Sequence, residues 1–207
     1  MRRANIVAVV TAAAALAGSG CSGSPDSIQA PGAQSAGIPL YDPCGETLVV
    51  PLVLDSGYQV GTVAVSNDFE SLDLVVETNQ PWEILSTQLA VSMSLDGIPQ
   101  TPAGNPILAK FPVRSRHAPA VSYYAVSLSM EDFDWSAGEE LFLSLHADLR
   151  LAEGGGESPG LRRGSRSLPP EGARTRYGAW GDGLEFPGNG RGLYFNYALQ
   201  DCDGGKE

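Results

Sequence analysis

The sequence predicts an all-β domain, an antiparallel β-sandwich of jelly-roll or immunoglobulin-like type with about seven or eight strands. Period-two alternation of apolar and polar residues recurs through most of the chain. Downstream of residue 41, no segment carries a helical apolar stripe for three turns. Without crossover helices a parallel sheet cannot be wound, so neighbouring strands must run antiparallel.

The strands follow in order. Residues 47–54 and 58–65 flank an Asp55-Ser56-Gly57 turn. Leu72, Leu74 and Val76 then alternate with Ser71, Asp73 and Val75. Leu89, Val91, Met93 and Leu95 form the next apolar row, and Tyr124, Val126, Leu128 and Met130 the one after it. Leu141, Leu143, Leu145, Ala147 and Leu149 make the longest run, with Ser144, His146, Asp148 and Arg150 on its polar side. Leu193, Phe195, Tyr197 and Leu199 close the series.

The amino-terminal region is of a different kind. Arg2 and Arg3 precede an apolar run over 6–17, too short to span a bilayer, and Gly18-Ser19-Gly20 then leads to Cys21. Residues 1–20 therefore read as a signal peptide. Small residues before a cysteine resemble the lipobox of bacterial lipoproteins, in which the thiol is lipidated and the leader removed. Gly18 stands where that family usually has an aliphatic residue. The resemblance implies lipidation at Cys21, a membrane partner reached through the lipid, and a place in the bacterial cell envelope. Ser22 resembles the class sorted to the outer membrane; the outer face of the cell membrane is the other location. Residues 21–41, rich in Ser, Gly, Pro, Ala and Gln, read as a flexible tether. Residues 42–203 are then the β-domain, with a mobile Gly-, Pro- and Arg-rich insertion over 153–174.

The whole chain carries a formal charge of −11. Loss of Arg2 and Arg3 leaves eleven basic against twenty-four acidic residues, or −13. Such a balance argues against nucleic acid as a partner. Of the three cysteines, Cys44 and Cys202 frame the domain, and in an oxidising compartment they are expected to pair; two free thiols are the alternative.

Motifs for catalysis are few. GxxxxGK, HExxH and CxxC are absent. His146 and Asp148 share the polar side of their strand, which suits either an oriented base or a solvated ladder of polar side chains. Asp132 and Asp134 carry the i, i+2 spacing of an irregular Ca²⁺ loop, although Ala137 and Leu143 stand where an EF-hand needs Gly and Glu. No other cofactor is expected.

Residues 94–118, SLDGIPQTPAGNPILAKFPVRSRHA, break the alternation. Pro99, Pro102, Pro106 and Pro112 stiffen the segment, and Gly104-Asn105 suits a turn with positive φ. Two readings stay open. As a recognition surface, the loop would present Lys110, Phe111, Arg114, Arg116 and His117, with Tyr123 and Trp180 nearby. As a packed crossover, it would bury Ile98, Ile107, Leu108 and Phe111.

The same segment, followed by a GAWGDG turn and a GLYFNYAL strand, resembles a β-module of secreted bacterial proteins with the pattern SLxxIPxTxxGNPxxxxFP. That resemblance implies an extracellular β-domain and carries over no catalytic residue. The expected function is a non-enzymatic module that binds a glycan or another envelope component. A structural lipoprotein packing on a partner protein is the alternative, and a hydrolase comes third.

Overall fold

A computed structural model describes residues 43–132, 135–152, 176–188 and 190–202. Cys21, the segments 1–20 and 21–41, and the whole 153–174 insertion lie outside the described residues. So do Asp134 and the side chain of Asp132. The described residues form an all-β fold. Its strands are β1 (Leu48–Leu54), β2 (Gln59–Asn67), β3 (Ser71–Thr78), β4 (Trp82–Ser92) and β5 (Val113–Val121), followed by β6 (Tyr123–Ser129), β7 (Glu140–Leu151), β8 (Tyr177–Gly181), β9 (Leu184–Glu185) and β10 (Leu193–Ala198).

Eight strands follow one hydrogen-bonded path, β5-β4-β7-β8-β1-β2-β3-β6, every pair antiparallel. The sheet curls until it nearly closes as a barrel. Where the sequence reading expects two sheets, pairing of β1 with β8 joins the halves into one ladder. The ends of the path, β5 and β6, are consecutive in the chain. They meet at Ser122, whose carbonyl takes the Thr78 N–H at 2.9 Å, while the hydroxyls of Ser115 and Tyr124 lie 2.7 Å apart.

Alternation explains the core. Leu141, Leu143, Leu145, Ala147 and Leu149 on β7 are wholly buried, as are Val63 and Val65 on β2 and Leu72, Leu74 and Val76 on β3. Each of these valines and leucines contributes roughly 1.5–3 kcal/mol by leaving water. On β4 a bulge between Ile84 and Ser86 shifts the register, so Trp82, Ile84, Thr87 and Leu89 face inward. The strand then ends at Ser92, and Met93, expected inside, is 50 % exposed.

The proline-rich segment packs against the outside of this sheet. Ile98, Phe111, Phe186 and Ala90 form a second buried cluster, with Leu95, Leu108, Phe142 and Tyr194 against it. Gly104 has φ +81°, the positive value that the Gly-Asn pair predicted. Asn105 fastens the loop to the excursion between β8 and β10, accepting the Gly190 N–H on its side-chain oxygen at 2.5 Å. The segment is thus a packed crossover whose last part becomes β5. Phe111, at 1 % exposed, and Trp180, at 5 %, offer no face to a ligand, which corrects the expectation for both. Trp180 also lies in β8 rather than on a turn.

Cys44 and Cys202 are joined by a disulfide, as expected, with Cα atoms 4.6 Å apart. Asn67 at the end of β2 secures the same corner. Its backbone carbonyl takes the Cys44 N–H, and its side chain bridges to Gln200 in both directions.

Candidate functional site

The other sequence candidates disperse. Lys110, Arg114 and Arg116 are exposed, and Arg114 donates to the Ala109 carbonyl at 3.0 Å. His117 points to the opposite side of β5, its ring 4.7 Å from that of Tyr124 and its Nε2 3.4 Å from the Thr87 hydroxyl. Burial there holds its pKa below the usual histidine value. Tyr123 pairs opposite Glu77 on β3; burial, then the Glu77 charge, push its phenol up. These residues do not converge.

A different group does. Cross-strand pairing sets Arg114 and Arg116 of β5 opposite Gln88 and Ser86 of β4, which lie opposite His146 and Asp148 of β7. Beyond them stand Trp180 and Gly178 of β8. The main chain then brings in Asp55, whose N–H reaches the Gly178 carbonyl at 3.3 Å. His146 was expected on a solvated ladder, yet it is 7 % exposed, which corrects that expectation. Its ring meets Trp180 at 4.7 Å, edge to face.

The hydrogen bonds here have only one consistent direction. The Asp148 carboxylate can only accept, so the Ser86 hydroxyl donates to it at 2.5 Å. Ser86 Oγ in turn takes the Gln88 amide N–H at 3.1 Å. That turns Gln88 Oε1 toward His146 Nδ1, 2.7 Å away, and Nδ1 must carry the proton. The lone pair of the neutral imidazole is left on Nε2. Burial is the largest influence on His146 and lowers its pKa, outweighing Asp148 and Asp55, which raise it.

Nε2 faces the space left by the missing side chain of Gly178, a recess the size of a methyl group. A methyl group there would lie 3.1 Å from Nε2 and 3.7 Å from Asp55 Oδ2. The recess is therefore walled by two hydrogen-bond acceptors, an imidazole nitrogen and a carboxylate. Arg191 steadies the Asp55 turn by donating to its backbone carbonyl at 2.5 Å. Among the described residues, no group of three or more His, Cys, Asp or Glu is placed to hold a metal ion.

The chain matches no protein-family model, no curated protein and no solved structure. The chemistry of the recess therefore rests on its own geometry. Ser86 lies on the Nδ1 side of His146, two links away, with its hydroxyl given to Asp148. The nucleophile–base contact of a hydrolytic triad is not formed by this pair. What the recess suits is a ligand that supplies donors to a lone pair and a carboxylate.

The i, i+2 spacing of His146 and Asp148 gave half of this site. Asp55, Ser86, Gln88 and Gly178 were missed. Ser86 and Gln88 reach their partners across about sixty residues of chain, in a register set by the β4 bulge. No local pattern announces such pairing.

Proposed function

We propose that the chain is a lipid-tethered domain of the bacterial cell envelope that binds a hydroxyl-rich ligand, an envelope glycan, without acting on it chemically. The recess over Gly178 carries this reading, because it pairs two acceptors, His146 Nε2 and the Asp55 carboxylate. Sugar hydroxyls are donors that satisfy both. The leader with its Gly20-Cys21 junction, the polar stretch after it and the acidic balance support the envelope setting.

The test is a glycan array on the mature chain carrying Cys21→Ser, followed by calorimetry on any sugar retained. Gly178→Ala fills the recess with a methyl group and Asp55→Asn removes the carboxylate; each is expected to weaken binding at least tenfold. Retention of no glycan, or equal binding by Gly178→Ala, overturns the reading.

A further inference from the structure

The second partner surface rests on the topology of the sheet and is independent of the glycan reading. β8 and β10 lie end to end along one edge of β7, β8 against residues 146–149 and β10 against 140–143. Across from them runs β1. It pairs with β8 only through Leu52, Val53 and Leu54, and β10 pairs with β9 only through Leu193 and Tyr194. Among the described residues, Leu48–Val50 and Asn196–Ala198 thus face one another without forming a ladder.

Strand alternation shows which backbone groups stand open. The Pro51 carbonyl points to the β8 side, where it takes the Asp182 N–H, so Val49 points the same way. Leu199 N–H bonds toward β7, so Tyr197 does too, and Asn196 and Ala198 turn the other way, where Gln200 Nε2 donates to the Ala198 carbonyl at 2.7 Å. Between these edges lies a groove of about 450 Å³, lined by Gly45–Val49, Asn196–Ala198 and Gln200. That volume is in the range of ligand-binding clefts. One residue of the groove wall carries an unsatisfied acceptor: Asn196 Oδ1 is buried without any hydrogen bond, while its amide nitrogen donates to Glu140 at 2.9 Å.

We propose that this seam binds an extended segment of a partner protein as an added β-strand, and that the segment alternates apolar and basic residues. The alternation follows from the two faces of the sheet. Side chains directed inward would meet Leu48 and Val50, which are only partly buried at the edge of the main core. Side chains directed outward would meet Asn196 and the Glu140 carboxylate bonded to it, and Glu46 adds a second acid to the groove lining. No lysine, arginine or histidine lines the groove. A lysine or arginine supplies the missing donor to Asn196 and charge complementary to the two acids. The backbone of the segment pairs with Val49 on one side and Asn196 on the other, as in other cases of strand addition.

The experiment uses the full chain in detergent and a capped heptapeptide, Lys-Val-Lys-Val-Lys-Val-Lys, with two controls. One control replaces each lysine by glutamate, and the other is N-methylated at alternate residues. The lysine peptide is expected to bind and to slow hydrogen exchange at the Val49, Asn196 and Ala198 amides. The glutamate and N-methylated peptides are expected to bind at least tenfold more weakly. Val49→Pro removes the β1 donor and is expected to weaken binding tenfold with an unchanged melting midpoint; should it fail to fold, the N-methylated peptide still decides on the native chain. Failure of the lysine peptide to bind overturns the proposal, as does equal binding of either control. Protection of the Val49 and Asn196 amides before peptide is added also overturns it, because the chain would then fill its own groove.

Discussion

The Tyr197 hydroxyl donates to Asn67 Oδ1 at 2.8 Å, and the same oxygen takes the Gln200 backbone N–H at 2.8 Å. One amide side chain thus stands in for a strand pair and fixes the carboxyl-terminal segment to the end of β2. Asn67 is 2 % exposed and Tyr197 3 %, so the Tyr197 hydroxyl cannot turn to water if the amide is removed. Asn67→Ala is expected to cost about 2–3 kcal/mol, the penalty for leaving buried partners unsatisfied. Urea denaturation measures the loss. A change below about 0.5 kcal/mol would mean that the corner is held by other contacts. In the native protein, burial pushes the Tyr197 phenol up to about 12, so a spectrophotometric titration should find one tyrosine that ionises late.

The Cys44–Cys202 disulfide spans 158 residues and closes the corner that Asn67 laces. Its loss releases chain entropy in the unfolded state, worth on the order of 5 kcal/mol at most for so long a loop. Cys44→Ala with Cys202→Ala is expected to lower stability by about 2–5 kcal/mol. The far-ultraviolet spectrum should stay native, because Asn67 still holds both segments. Denaturation of the oxidised and substituted proteins side by side measures the difference, and a substituted protein without β structure would refute the second half.

Phe111→Ala opens a cavity under the proline-rich crossover, where Ile98, Ala90 and Phe186 surround the ring. The expected cost is about 3–5 kcal/mol. Arg116→Ala on exposed β5 should change stability by less than about 0.5 kcal/mol. Thermal melts of the two variants separate packing from surface. Similar melts for both would contradict the buried position of the ring.

The contrast between these residues shows what the sequence makes legible. Strand alternation is local, so β2, β3, β6, β7 and β10 could be read from spacing alone, and the framing cysteines from their placement. Phe111 was ambiguous because its partner Phe186 lies in a Gly- and Pro-rich excursion that has no periodicity. The relay from Asp148 to His146 was only half visible. It needs the β4 bulge, and nothing in the local pattern of Ile84, Leu85 and Ser86 marks that one residue is skipped. The open seam is less legible still, since it arises from where β8 stops pairing with β1. That is a property of the assembled sheet.

His146 and His117 both have pKa values lowered from 6.5, in each case chiefly by burial. The unfolded chain therefore binds these protons more tightly than the folded one. Their neutral forms are fully compatible with the fold above pH 6.5, and stability falls as pH drops through 6.5 toward the lowered folded values. Facing His146 are Gln88 from β4, Trp180 and Gly178 from β8, and Asp55 after β1; its own strand contributes Asp148. The two carboxylates soften the loss but do not reverse it. Urea denaturation between about pH 7.5 and pH 5.5 should show declining stability, before most carboxylates begin to titrate. A His146→Gln, His117→Gln double variant should flatten that decline. An unaltered slope in the double variant would place the pH sensitivity in other groups, and a ring-proton titration of His146 at or above 6.5 would contradict its burial.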